Sequence, residues 1–369
     1  MSKSFNILSL SDIHLGSKRT TTEYIINNLD TYVSNNEVLA NVDLLILAGD
    51  IFDTLLSLPH PDVYYIDLWI SRLLKLCYKH NVKIRILEGT PSHDRMQSER
   101  FTIINSILEN KADLHYAGTL SIEHIESLNL NILYIPDEWS NSAEQTLSEV
   151  KELMISKQLS KVDYAIMHGT FDYQLGDIKN IPRHSSFEYS QLVNHLIFVG
   201  HIHQYSQSGK IIAHGSFDRL GFGEKEAKGL ISVNVINDKH IVNFIENKNA
   251  KKYVTYDSIN EDLDTLINRL DKKITKLPDQ SYVRIRTNKE SVIMQSLEVL
   301  KLRYLKYFIT VVKIEDKKAS IVMVQEVPKY TPIIISKNNI TELITDRLFK
   351  LQLDSKTSSD CLTILNEVI

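Results

Sequence analysis

Short apolar runs alternate with longer mixed segments over the first two thirds of the chain. FNILSL, VDLLILAG, VKIRIL, NILYIP, VDYAIMHG, LIFVGH, KIIAHG and LISVNVI have the length and composition of buried strands. Between them, DVYYIDLWISRLLKLCYKH places Val63, Ile66, Trp69, Ile70, Leu73, Leu74 and Cys77 at helical spacing on one face. Strands that alternate with amphipathic helices predict an α/β fold with layered sheets, a two-sheet α/β sandwich.

The pattern changes near residue 246. All 12 glycines lie at or before Gly229, as expected of a turn-rich body followed by a more regular appendage. From about 250 to 330 the helical segment EDLDTLINRLDKKI precedes the strand YVRIRT, a second helix, and the strands KYFITVVKI and ASIVMVQEV, a small α+β module. The segment 338–369 reads as two helices: Asn339 and Glu342 form a capping box, and Leu343, Ile344 and Leu348 share a face. The predicted domains are therefore 1–245, 250–330 and 338–369.

A chain of 369 residues with 43% hydrophobic composition can bury a large core. No apolar run approaches a membrane span, and Asp12 interrupts the N-terminal apolar stretch where a signal peptide would continue. A cytoplasmic protein with no membrane partner is expected. The two cysteines, Cys77 and Cys361, both fall in apolar helical patterns and read as buried thiols. Charge is nearly balanced overall, but SYVRIRTNKESVIMQSLEVLKLRYLKYFITVVK holds seven basic residues against two acidic ones, with four aromatics. Such a segment forms either a face for a polyanion or an ordinary solvated surface.

The candidate chemistry lies at the C-terminal ends of the strands. Asp12 and His14 follow the first, Gly49 and Asp50 the second, and His93 and Asp94 the third. His168 and Gly169, then Gly200, His201 and His203, follow later ones. Open α/β sheets bind ligands at that edge, where loops bring distant residues together. Asp-x-His and His-x-His pairs project both side chains to one side. Imidazole mixed with carboxylate suits manganese, iron or zinc better than calcium or magnesium, and so many candidate ligands suit two ions sharing a carboxylate.

SLSDIHLG, LAGDIFD, EGTPSHDR, MHG and GHIH, in that order, resemble the motif series of the calcineurin-like metallophosphoesterases. LAGDIFDT and HGSFDRLGFGEKEAKG further resemble the double-strand-break-repair nuclease branch, the SbcD-like subunits, including those of bacteriophages. The resemblance covers about 1–245 by motif and the remainder by arrangement. It implies that Asp12, His14 and His203 hold one metal ion, that His168 and His201 hold the other, and that Asp50 bridges them. His93 would stabilise charge on the phosphate and leaving oxygen, with Asp94 orienting a neighbour in the catalytic pair. Asp53 would contact the loop or a water.

In place of the family's Gly-Asn-His-Asp this chain has Gly-Thr-Pro-Ser-His-Asp, so Ser92 or Thr90 reaches the second metal, a water fills the gap, or the second site is weak. The resemblance implies two manganese(II) ions, with magnesium weaker, and a homodimer. It also implies DNA as substrate and a coiled-coil SbcC-like ATPase as partner for the C-terminal helices. Arg284, Arg286, Lys289, Lys301, Arg303 and Lys306 would contact DNA from the capping module. The expected activity is a DNA exonuclease and endonuclease processing ends. A phosphomonoesterase or small-molecule phosphodiesterase, and a DNA-end-binding scaffold, are the competing readings.

Overall fold

The computed structural model describes residues 4–174, 176, 182–314, 345 and 363. The chain divides into two compact units, Met1–Ile314 and Glu315–Ile369. The predicted strand ASIVMVQEV and the C-terminal helices, with Asn339, Glu342, Leu343, Ile344, Leu348 and Cys361, lie outside the described residues.

Two six-stranded sheets make an α/β sandwich. The first runs Lys239–Glu246, Gly229–Ile236, Ser4–Leu10, Leu44–Ala48, Lys83–Leu87, Leu114–Ala117, and its last four strands are parallel. The second runs Ser121–Ile125, Leu130–Ile135, Val162–His168, Val193–Gly200, Ile211–Ala213, Ser206–Ser208, with four parallel strands at its centre. Alternation along each strand decides what faces what. Phe5, Ile7, Leu44 and Ile46 turn inward to meet Tyr134, Tyr164, Ile166 and Phe198 of the other sheet. Leu8, Leu10, Leu45 and Leu47 turn outward under the helices Thr22–Tyr32 and Pro61–His80.

The helix Pro61–His80 buries the seven side chains that its periodicity selects, and it ends where Asn81 adopts a left-handed φ of 56°. Cys77 is among them, a free thiol whose pKa burial pushes up to about 12. On the far face, Val150 and Met154 of the helix Ala143–Ser156 pack with Leu133, Ala165 and Ile197. The strands Leu114–Ala117 and Ser121–Ile125 carry His115 and His124 in short, polar stretches whose pattern does not announce a strand.

The module that follows is a three-stranded, all-parallel sheet, Tyr253–Ser258, Tyr282–Thr287, Phe308–Lys313. One face packs Val283, Ile285 and Ile309 against Leu266, Leu270 and Leu300 of its helices. The other carries a cross-strand row in which Tyr253, Tyr282 and Phe308 stack at 4.7 Å between successive ring centroids. Among the described residues, no helix is long and apolar enough to cross a membrane.

Candidate metal centre

The parallel strands of both sheets deliver their C-terminal ends to one place. Asp12, His14 and Asp50 there adopt left-handed φ angles of 51°, 57° and 49°, and His201 one of 96°. Each such conformation costs about 1–3 kcal/mol in a residue other than glycine, and persists where surrounding structure imposes it. The tight approach of the strands is set by glycine. At Gly200 a Cβ would lie 2.4 Å from the Ala48 carbonyl oxygen and 2.5 Å from His168 Nδ1.

Two donor groups result. Asp12, His14 and His203 form one, and Asp137, His168 and His201 the other. Asp50 lies between them, grouping with His14 and His93 on one side and with Asp12 and His168 on the other. The geometry suits cations. His14 Nε2 and His203 Nε2 face each other at 3.3 Å. His168 donates from Nδ1 to the Ala48 carbonyl at 2.8 Å, which aims its Nε2 at Asp50 Oδ1, 3.3 Å away. That Nε2 is buried with no hydrogen-bond partner. Orphaned ring nitrogens aimed at carboxylates are what a divalent ion would satisfy.

Neighbouring groups fix these rings. His14 Nδ1 is 3.2 Å from Asp53 Oδ1, and His203 Nδ1 is 3.2 Å from Glu224 Oε1. Burial opposes the Asp50 charge, but His168 and His14 hold the carboxyl far below its ordinary range. Burial would lower the His203 pKa, and Glu224 and Asp12 raise it instead. For Glu224, burial is outweighed by His203 and Lys228, which bring it down to about 2.

The loop EGTPSHDR supplies three different things. His93 is half-buried, its ring 5.1 Å from that of His14 and its buried Nδ1 without a hydrogen-bond partner. Asp94 points the other way: it is fully buried and accepts from Phe52 N and Gly89 N at 2.8 Å each, clamping the two loops that carry Asp50 and His93. Burial, then the charges of Asp50 and Glu88, push its pKa up to about 8. Ser92 is exposed, and the nearby hydroxyl that reaches the donors belongs to Thr90. The Pro91 turn carries residue 92 outward, so of the two hydroxyls weighed from the sequence the structure brings in Thr90.

Asp137 is the residue that sequence reasoning missed. It stands just beyond the strand Leu130–Ile135, at the same edge as Asp12 and Asp50, but Pro136 interrupts the run and no histidine accompanies it. Two cavities, of about 530 and 460 Å³, share Pro136, Asp137, Glu138 and Trp139 as a common wall. The closing segment HGSFDRLGFGEKEAKG acts as a staple. Arg219 donates to the Ala250, Lys251 and Glu226 carbonyls, and Lys228 donates to the His203 carbonyl at 2.6 Å.

The six basic residues of the appended module are less available than their count implies. Arg286 pairs with Asp257, Lys301 with Glu298, Arg303 with Asp271 and Lys306 with Asp279. Arg284 instead lies over the Phe222 ring at 3.5 Å, and Lys289 makes no ion pair among the described residues.

No protein-family model matches the chain, and no curated protein matches it. Among solved structures it is similar to the calcineurin-like phosphoesterase YfkN from Bacillus subtilis, at 11% identity and a TM-score of 0.38, over 74% of this chain and 98% of that one. It is also similar to TT1561 of Thermus thermophilus, at 12% identity and a TM-score of 0.35, over 65% of this chain and 99% of that one.

Proposed function

We propose that this chain is a two-metal phosphodiesterase acting on DNA, the manganese-dependent nuclease subunit of an ATPase-linked complex that processes DNA ends. The observation that carries the reading is the pair of donor groups with Asp50 between them and His93 beside His14. Asp12, His14 and His203 would hold one ion and His168 and His201 the other, with Asp50 between. When bound, such ions withdraw charge from a phosphate and ease deprotonation of water.

The chain's own residues do the rest. Asp53, Glu224 and the Ala48 carbonyl hold the three histidine rings in fixed orientation, so no reorganisation is needed when substrate arrives. As water oxygen bonds to phosphorus and releases a proton to solvent, the ester P–O bond breaks and His93 gives a proton to the departing oxygen. Asp94 keeps the His93 loop in register from behind.

Exposed Tyr64, Tyr65 and Leu68 on the helix Pro61–His80, with Ile103 and Ile107 on the helix Arg100–Ile107, support a homodimer. Sedimentation showing only monomer at micromolar concentration counts against it. The ATPase is assigned to the segment 338–369.

A small-molecule phosphodiester is the second reading, favoured by the carboxylate pairing of four of the six basic residues. One experiment separates the two. Wild type and His93→Ala are incubated with end-labelled DNA and with a chromogenic phosphodiester, in manganese and in magnesium. DNA cleavage in manganese that falls about 100-fold or more in the variant is the expected result. Turnover of the chromogen without DNA cleavage selects the second reading, and equal DNA cleavage by the variant removes the role of His93.

A further inference from the structure

Thr90 Oγ1 lies 3.2 Å from Asp50 Oδ2, 3.1 Å from Asp137 Oδ2 and 3.4 Å from His201 Nδ1. Asp137 Oδ2 is in turn 3.2 Å from His201 Nδ1. A hydroxyl has one proton and can donate to only one of the two carboxylate oxygens at a time, while His201 Nδ1 donates or accepts according to its tautomer. Two carboxylate oxygens and an imidazole nitrogen, all metal-ligating atoms, therefore converge on one hydroxyl oxygen. Bonds of about 2.1 Å to a common octahedral ion would put neighbouring donors about 3 Å apart, and that is the spacing these atoms keep.

The other oxygen of the Asp137 carboxylate, Oδ1, accepts from Glu138 N at 3.0 Å, which leaves Oδ2 to the cluster. The side chain is 10% exposed, so it is not a solvated surface group. Asp137 lines both cavities and His201 the one of about 530 Å³, so these two donors face space that a phosphate could enter. His168 Nε2, orphaned and buried, points to the same donor group.

We infer that Asp137 is a ligand of the second metal ion and that Thr90 Oγ1 closes the same site, so that a carboxylate takes the place that Ser92 cannot fill. The inference rests on the two-ion reading and deepens it. With Asp12 and Asp50, Asp137 makes three carboxylates in the centre. Added anionic oxygen favours hard divalent cations, manganese and magnesium, over softer ions.

The test is metal stoichiometry, independent of turnover. The full-length chain is stripped with chelator and dialysed against manganese, the bound ions are counted by elemental analysis, and electron spin resonance reports whether two Mn(II) are coupled. Wild type and Ser92→Ala are expected to bind two coupled ions. Asp137→Ala, folded by circular dichroism, is expected to bind one ion with an uncoupled spectrum. Asp137→Asn, which keeps the shape and guards against misfolding of the alanine variant, is expected to bind the second ion about tenfold or more weakly. Asp137→Asn with wild-type affinity would show that the carboxylate only orients His201, and two coupled ions retained by folded Asp137→Ala would remove it from the second site. Either result overturns the inference and leaves the two-ion reading standing, whereas a wild-type chain that binds fewer than two ions overturns that reading itself.

Discussion

Glu224 grips His203 with one carboxylate oxygen, 3.2 Å from Nδ1, and Lys228 with the other, 2.7 Å from Nζ. The segment that closes the sandwich thereby reaches back to orient a histidine 21 residues earlier in the chain, just beyond the strand Val193–Gly200. Removing the charge in Glu224→Gln frees the imidazole to rotate and is expected to weaken manganese binding about 10–100-fold. Isothermal titration would read this directly. Because the Lys228 side chain is only 1% exposed, the same variant also strands a buried cation, and a loss of about 3–5 kcal/mol in urea unfolding is expected beside the binding defect. Unchanged affinity in a folded variant would show that Glu224 serves Lys228 alone.

Arg85 ties the two sheets at their edge. It sits on Lys83–Leu87 of the first sheet, and its buried guanidinium meets Glu123, on Ser121–Ile125 of the second, at 2.8 Å and Asp113 at 2.9 Å. Tyr134 donates to the same Glu123 at 2.6 Å. Arg85→Met leaves the half-buried Glu123 without its cation and is expected to destabilise the fold by about 3–5 kcal/mol. The double variant Arg85→Met with Glu123→Gln should recover part of that loss, since it removes the orphaned charge. If the double variant is no more stable than the single one, packing of the arginine stem, not the ion pair, carries the effect.

His214 predicts a pH dependence. Its ring is fully buried, with Nδ1 2.8 Å from the Val199 carbonyl and Nε2 2.6 Å from Ser9 Oγ, and burial brings its pKa down from 6.5 to about 4. The folded state then binds fewer protons than the unfolded state between those values. The stabilisation is complete above the ordinary histidine pKa and is lost as pH falls toward the folded one. Between pH 7 and pH 5 this residue is expected to cost the metal-free protein about 2 kcal/mol that His214→Gln does not lose. Chelator-treated samples melted in urea at both pH values give the comparison, and parallel losses in the two proteins would dismiss His214 as the source.

Much of the centre was legible because one rule, chemistry at strand ends, applies to residues that also sit in short motifs. Asp12 and His14, Asp50, His168, and His201 with His203 each follow an apolar run directly, and the structure gathers all of them. Asp137 obeys the same rule but stands alone behind a proline, and a single aspartate after a strand is too common to select. The choice between Ser92 and Thr90 could not be made from spacing, since it depends on the direction in which the Pro91 turn throws the following residue. The helix Pro61–His80 was legible residue by residue, because a long amphipathic period repeats often enough to average out exceptions. The strand Ser121–Ile125 was not, since a short edge strand with His124 and Glu123 carries no alternation that burial enforces. Charge in the appended module was legible as sequence but not as availability, because the partners of Arg286 and Arg303 come from a different strand and a different helix.

That last difference yields a prediction about DNA. Arg303 is held by Asp271 at 2.6 Å, so a phosphate must displace a carboxylate to reach it, and the net gain is small. Arg284 rests on Phe222 at 3.5 Å, with its charge opposed by no carboxylate among the described residues. Its ring contact positions the guanidinium without neutralising it. If DNA crosses this face, Arg284→Ala should weaken binding at low salt and reduce the slope of log affinity against log salt by about 1, the release of one counterion. Arg303→Ala should leave the slope nearly unchanged. Fluorescence anisotropy of a labelled duplex across a salt series measures both. Equal slopes for the two variants would mean that neither charge is singled out by its surroundings, and slopes matching wild type in both would place DNA elsewhere on the molecule.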